Sequence, residues 1–127
     1  MPSGGIRSFD IGRGRRITDE LIPVEGLHSI TVWQGEKEVG RTFVILPAER
    51  TDAVVLDVYV YWPEDRRKGY ASDMLQYATK AWNKLITGYR SKVGLNLCLK
   101  NGFKLTKPLF KSGKALLTFN AAESKEG

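Results

Sequence analysis

The chain has 127 residues, of which 42% are hydrophobic and 27% are charged. This size and composition predict a single domain, residues 1–127, with one hydrophobic core. A single cysteine excludes an intramolecular disulfide, and a single histidine disfavours both a metal site and a Ser-His-Asp triad. No apolar run approaches the roughly 20 residues of a membrane helix, and the first residues lack a signal-peptide core, so we expect a cytoplasmic protein.

The net charge of +6 is unevenly distributed. Residues 1–63 carry 7 Lys/Arg against 9 Asp/Glu, whereas residues 64–127 carry 13 against 5. A basic half attracts polyanions such as nucleic acid, an acidic protein or a phosphorylated cofactor. The alternative is a lysine excess that only keeps the surface soluble, and charge alone does not decide between these interpretations.

The first 22 residues give weak signals. Glycines and arginines predict a flexible segment over residues 1–16, with at most a short strand around 6–11. Thr18–Ile22 predicts a short helix with Thr18 as N-cap, which Pro23 would end.

Alternation of apolar and polar residues then predicts strands at 28–34 and 39–46. The third strand, Ala53–Trp62, is so apolar that we expect it to lie centrally, covered on both faces. After Gly69 the apolar residues recur at steps of three and four, which predicts an amphipathic helix of about four turns as far as Leu85. The short segment 85–88 barely provides a further strand.

The last third of the chain contains a second helical segment and a hairpin. Val93–Leu99 is apolar, and Asn101-Gly102 ends it in the manner of a helix C-cap. Residues 103–105 and 115–119 alternate again and predict a hairpin around 111–114. We expect the polar tail, residues 121–127, to be flexible.

A basic turn joins the third strand to the first helix, with the sequence Pro-Glu-Asp-Arg-Arg-Lys-Gly-Tyr-Ala over residues 63–71. The first N–H groups of a helix lack intrahelical partners and carry partial positive charge, which makes them an anion site. Gly69 would let a phosphate approach the backbone, and Arg66, Arg67 and Lys68 would add full charges. The alternative is a basic turn that binds nothing.

Two motifs resemble those of the GNAT superfamily of N-acetyltransferases. Arg66, Gly69 and Ala71 match the fixed positions of the pattern Arg/Gln-x-x-Gly-x-Gly/Ala, which follows a strand ending in proline. Residues 97–103, Leu-Cys-Leu-Lys-Asn-Gly-Phe, resemble the later motif apolar–Tyr–x–Lys–x–Gly–Phe. Both motifs occur in family order after three antiparallel strands, and the resemblance covers about residues 28–120.

The resemblance implies an α+β (α/β) fold with a mixed, mostly antiparallel central sheet of about six or seven strands flanked by helices. Two central strands would splay apart around the pantetheine arm of acetyl-CoA, the implied co-substrate. The backbone of Tyr61 and Trp62 would pair with the pantetheine amides. The diphosphate would bind at the turn and the first helical residues: Arg66, Arg67, Lys68, Gly69, Tyr70, Ala71 and Ser72.

Family members transfer the acetyl group by direct attack of an amine, which calls for a proton acceptor and benefits from a proton donor to the thiolate. Asp57 is the only acid within Ala53–Trp62, and it shares a face with Tyr59 and Tyr61. A raised pKa would suit Asp57 as general base, although simple ion pairing is the alternative. Tyr59 is a second candidate for proton relay. Cys98 stands at the family's tyrosine position as a candidate proton donor, with core packing as the alternative.

The resemblance implies transfer to a primary amine, with a protein lysine or N-terminus among the candidate acceptors. Short segments before residue 28 and over 83–92 predict an open acceptor groove. A catalytically weak protein of the same fold that binds a partner protein is the alternative function. Nucleic-acid binding is disfavoured, because no known motif is present and the aromatic residues of the third strand are predicted to be core. The sequence leaves open a monomer or a homodimer.

Overall fold

A computed structural model describes residues 5–22, 26–46, 53–55, 58–89, 91–107 and 115–124. The strands in these ranges are β1 Ile6–Gly12, β2 Arg15–Ile22, β3 Leu27–Gln34, β4 Lys37–Ile45, β5 Ala53–Val55, β6 Tyr59–Val60, β7 Lys84–Tyr89, β8 Lys104–Lys107 and β9 Ala115–Asn120. The helices are α1 Tyr70–Ala81, α2 Lys92–Lys100 and α3 Ala121–Ser124, and a 3-10 turn, Pro63–Asp65, precedes α1. None of the described helices has the length and apolar character that crossing a membrane requires.

The strands form one mixed sheet in the order β1-β2-β3-β4-β5-β7-β9-β8, and β6 pairs with β4 as well. The β5–β7 pairing is parallel, and the other described pairings are antiparallel. The predicted fold class is therefore confirmed. The sheet exceeds the implied six or seven strands because the first 22 residues contribute β1 and β2.

The short strand predicted around residues 6–11 is present as β1, whereas the predicted helix at Thr18–Ile22 is wrong. Residues 6–22 form a hairpin whose turn, Arg13-Gly14, has φ angles of 59° and 72°, as tight hairpin turns require. Burial alternates along β2, with Ile17 and Asp19 buried and their neighbours more exposed. Pairing with β3 along all eight residues of β2 outweighs the local capping signal at Thr18.

Helix α1 packs across β2, β3 and β4 through its buried face, which includes Met74, Leu75 and Ala78. It begins at Tyr70 as predicted but ends at Ala81, because Trp82 has extended backbone angles. Leu85 fits the helical spacing, yet it is a buried residue of β7 and pairs with Ala53. Over so short a stretch, a buried strand and one face of a helix place apolar residues at similar spacings. The predicted helix therefore ran about four residues beyond the observed one.

The predicted strand Ala53–Trp62 is present as two short strands. Ala53 and Val54 of β5 pair with β7, whereas Tyr59 and Val60 of β6 pair, among the described residues, with β4 alone. Among the described residues, the chain thus pairs with β4 at both ends but with β7 at its start only. The edge of β6 on the β7 side is therefore left without a strand partner there, and we call the space beside this edge the gap between β6 and β7.

Helix α2 ends as predicted. The N–H of Phe103 donates to the carbonyl of Cys98 and that of Gly102 to Leu99, while Gly102 has a φ of 93°, as a glycine C-cap requires. The predicted closing strands are present as β8 and β9, and residues 111–114 lie outside the described part of the chain. The tail differs from the prediction, since residues 121–124 form α3 and the Ala121 N–H donates to the carbonyl of Asn83.

Candidate functional site

Helix α1 begins with open backbone amides. Gly69 is its N-cap in a left-handed conformation, φ 89°, and no side chain in the described part of the chain caps the helix. The Asp73 N–H donates to the carbonyl of Gly69 at 2.9 Å, so the amides of Tyr70, Ala71 and Ser72 precede the first intrahelical bond. These three N–H groups lie at the positive end of the helix dipole, where an anion is stabilised.

The turn before α1 is conformationally constrained. Arg67 has a φ of 65°, a left-handed conformation that costs a non-glycine residue about 1 kcal/mol. The N–H of Arg66 is bound to the carbonyl of Pro63 at 3.2 Å and is thereby withdrawn from the predicted set of anion-binding amides. Strained backbone of this kind clusters at functional sites, where it helps to hold a ligand-binding geometry.

Basic side chains surround this turn unequally. Arg66 and Arg67 are exposed, and no acidic partner is found for either among the described residues. Lys68 lies 3.5 Å from Asp65, whose other carboxylate oxygen is 3.1 Å from Lys37. The hydrogen bond from Lys37 lowers the pKa of Asp65, so this carboxylate is ionised at neutral pH. Two arginines therefore remain available to a polyanion, while Lys68 is partly neutralised.

Two residues of the predicted diphosphate site, Tyr70 and Ser72, use their side chains for contacts within the protein. Tyr70 is buried, and its hydroxyl donates to Gln34 at 2.9 Å, so only its amide faces the site. The hydroxyl of Ser72 accepts a hydrogen bond from Asn101 at 3.1 Å, which ties α1 to the end of α2.

Sequence reasoning missed a contributor from the first hairpin. Arg15, only 10% exposed, pairs with Asp73 of α1 at 2.9 Å and donates to the carbonyl of Lys68 at 2.8 Å. Arg13 pairs with the same carboxylate at 3.0 Å. No signal in the sequence pointed to these contacts, because the pairs are separated by more than 50 positions and the hairpin itself was not predicted.

The edge of β6 that faces the gap offers a different set of amides from the one predicted. The Tyr61 N–H donates to the carbonyl of Val39 at 3.1 Å, so it belongs to the sheet and is not free for a ligand. Because successive residues of a strand turn their amides to opposite edges, Val60 and the N–H of Trp62 face the gap. Val60 thus replaces Tyr61 among the candidate backbone partners.

The chain was compared with known protein families, curated protein sequences and solved structures. No protein-family profile matches the chain, and no curated protein sequence matches it. Solved structures do match. An acetyltransferase of Bacillus subtilis in complex with CoA is 16% identical over 76% of this chain and 78% of that one, with a TM-score of 0.63. A GNAT family acetyltransferase of Elizabethkingia anophelis with acetyl-CoA bound is 16% identical over 91% and 97%, with a TM-score of 0.62.

The ribosomal-protein-S18-alanine N-acetyltransferase of Escherichia coli is 13% identical over 76% of this chain and 70% of that one, with a TM-score of 0.61. This chain has the GNAT fold. The fold implied by the two sequence motifs is therefore confirmed. The unpaired β7-side edge of β6 is where the GNAT resemblance predicts that the two central strands splay apart.

Aromatic residues beside the gap are more exposed in this GNAT fold than predicted. Tyr59 is 54% exposed, Tyr61 37% and Trp62 41%, so the predicted strand is covered at β5, where Ala53 and Val55 are buried, but not from β6 onward. The hydroxyl of Tyr61 donates to Glu38, which also pairs with Arg41 at 3.2 Å. Partial burial and the Glu38 carboxylate raise the pKa of Tyr61 to about 12, which makes it a poor proton donor at neutral pH.

The two other catalytic candidates, besides the exposed Tyr59, are Asp57 and Cys98. Asp57 lies outside the residues that the structure describes. Its role as general base therefore stays a prediction. Cys98 is fully buried in the core, and burial raises the pKa of its thiol to about 12. A thiol with that pKa and no solvent contact does not readily protonate a leaving thiolate, so the structure favours the packing interpretation of Cys98.

Proposed function

We propose that this chain is an N-acetyltransferase that transfers the acetyl group of acetyl-CoA to a primary amine. One observation carries the proposal: open amides at the start of α1 lie beside Arg66 and Arg67, which have no acidic partner among the described residues, in a fold whose solved examples include CoA complexes. The diphosphate of coenzyme A is a doubly charged anion of the kind that such amides and arginines bind. The basic turn then has a ligand, and the alternative of a turn that binds nothing is disfavoured.

The pantetheine arm would lie along the gap-facing edge of β6. Val60 and Trp62 would supply backbone hydrogen bonds there, and the amides from Lys68 to Ser72 would hold the diphosphate. In this arrangement the thioester lies further back along the strand, toward Asp57. The acceptor amine attacks the thioester carbonyl, a C–N bond forms as the C–S bond breaks, and the amine gives up one proton. Asp57 is the proposed acceptor of that proton, and water protonates the thiolate, since Tyr61 and Cys98 are poor donors.

The acceptor enters from the exposed aromatic side in this proposal. Tyr59, Tyr61 and Trp62 leave an open surface beside the gap, which suits a protein lysine or N-terminus as acceptor in a cytoplasmic protein. A second function, binding of a partner protein with weak catalysis, is favoured by the burial of Cys98 at the position of the family's tyrosine. A monomer and a homodimer are both compatible with the proposal.

Binding and turnover separate the two functions. Acetyl-CoA at 100 times its Kd should stabilise the fold by about 2.7 kcal/mol, seen as a rise in melting temperature. Mass spectrometry of a cell extract incubated with the protein and labelled acetyl-CoA should then identify acetylated amines. Stabilisation without labelled products would favour the binding function, and the absence of any stabilisation would reject the coenzyme site.

A further inference from the structure

The guanidinium of Arg15 makes three polar contacts from one nearly buried position. Its Nε donates to Gln34 Oε1 at 3.0 Å, its Nη1 pairs with Asp73 Oδ2 at 2.9 Å, and its Nη2 donates to the carbonyl of Lys68 at 2.8 Å. Its Cζ lies 4.2 Å from the centre of the Tyr70 ring. The planar guanidinium is thus fixed on every side, and it fixes the basic turn in return.

The contact with Lys68 determines the direction of another group. The Lys68 carbonyl and the Gly69 N–H belong to one trans peptide, in which they point in opposite directions. Because Arg15 holds the carbonyl toward the hairpin, the Gly69 N–H points away from the hairpin. A charged donor on the carbonyl also polarises the same peptide and strengthens its N–H as a donor.

We propose that Arg15 is a positioning residue for the acyl donor, orienting the Lys68–Gly69 peptide so that the Gly69 N–H joins the open amides of α1 on the diphosphate of acetyl-CoA. This inference rests on the proposed function. It identifies the β1–β2 hairpin as part of the coenzyme site, although Arg15 itself contacts only the protein side of the turn.

Pairing with the Asp73 carboxylate does not by itself explain the role of Arg15. Arg13 pairs with the other oxygen of that carboxylate at 3.0 Å, so Asp73 keeps a cationic partner without Arg15. Among the described residues, the Lys68 carbonyl has no other charged donor. Orientation of this peptide is therefore the contribution that Arg15 alone makes.

Two substitutions and one control test the proposal by calorimetric titration of the full chain with CoA. Arg15→Met should raise the Kd about tenfold through loss of the charged hydrogen bond. Arg15→Lys should also weaken binding, because an ammonium group cannot hold Asp73 and the Lys68 carbonyl together in the geometry of the guanidinium. Arg16→Met is the matched control, since it removes the same charge from the next residue, whose guanidinium stacks 4.6 Å from the Trp33 ring; its Kd should stay within about twofold of wild type.

Kinetics separate positioning from general damage. Arg15→Met should raise the KM for acetyl-CoA while leaving kcat at saturation little changed. S-acetyl-N-acetylcysteamine, an acetyl donor without the diphosphate, should be used equally by wild type and variant. Equal losses with both donors, or CoA binding like wild type in folded Arg15→Met or Arg15→Lys, would overturn the proposal. Failure of the wild type itself to bind CoA would instead reject the proposed function.

Discussion

Gly69 occupies a backbone conformation that disfavours any side chain. Its φ of 89° would cost a β-branched residue about 1–2 kcal/mol, although a Cβ there would meet Arg15 only at an ordinary 3.6 Å. Gly69→Val should therefore lose the rise in melting temperature with acetyl-CoA, because the turn must change shape. Gly5→Val is the control: Gly5 lies before the β1–β2 hairpin with a positive φ of 73° and open surroundings, so it should lose similar stability but keep the rise. A full rise in Gly69→Val would argue against the site.

Cys98 illustrates how burial changes the role that a motif position suggests. We expect Cys98→Ala to lower the free energy of unfolding by about 1 kcal/mol through lost packing. The pH profile of kcat should remain unchanged, because a buried thiol with a pKa of about 12 gives up no proton near neutral pH. Steady-state kinetics between pH 6 and 9 provide the measurement. A loss of an ionisation from that profile would restore Cys98 as the proton donor.

At the scale of elements, Lys37 at the start of β4 pairs with Asp65 of the 3-10 turn. The pKa of Asp65 is lowered in the folded state, so its contribution to stability is present at neutral pH. That contribution is lost as the pH falls below about 4 and through the lowered pKa. The difference in unfolding free energy between wild type and Lys37→Met should therefore shrink from pH 7 to pH 3. Urea unfolding measures it, with the exposed Lys80→Met as control; a difference independent of pH would contradict the coupling.

Close approach of β4 and β6 depends on one glycine. A Cβ on Gly40 would lie 2.5 Å from the carbonyl oxygen of Tyr59, and the φ of Gly40 is not in the left-handed region. Gly40→Ala should therefore destabilise the fold by about 1–3 kcal/mol, because the added methyl would clash with this oxygen and crowd Met74 Cε at 3.1 Å and Val32 Cγ1 at 3.3 Å. It should also weaken CoA binding, since it displaces the strand that borders the gap. Denaturant unfolding measures the loss of stability, and titration with CoA measures the loss of binding. An unchanged free energy of unfolding and an unchanged Kd would mean that β4 and β6 can move apart without cost.

At the scale of the whole molecule, positive charge is concentrated in the second half of the chain, which should attract an anion such as CoA. Arg66 and Arg67 lie in that half, exposed, at the start of α1. Salt should weaken CoA binding, because exposed charges are screened within about 8 Å at physiological ionic strength. Replacing both arginines with serine should weaken binding at low salt and flatten its dependence on salt. Titrations at 50 and 500 mM NaCl measure how steeply the Kd for CoA rises with salt. If the variant showed the same salt dependence as the wild type, other residues would have to supply the electrostatic attraction.

Local sequence was sufficient to predict the turn and its neighbours. The three central strands, the start of α1 at Tyr70 and the glycine C-cap at Gly102 follow from alternation, helical spacing and glycine chemistry, which act over a few residues. The motif around Gly69 also predicted open helical amides, since the number of unpaired N–H groups at a helix start is fixed by the hydrogen-bond pattern.

Tertiary contacts decided the rest. Thr18–Ile22 is a strand because β3 pairs with it, Cys98 is buried because the core closes around α2, and the Tyr61 N–H is engaged because β4 lies beside β6. Arg15 reaches Lys68 across 53 positions of sequence, a contact that no local pattern encodes. The sequence by itself determined where an anion could bind, because that depends on backbone geometry within one turn. Only the fold decided which groups support or block that site, because burial and pairing are set by segments distant in the chain.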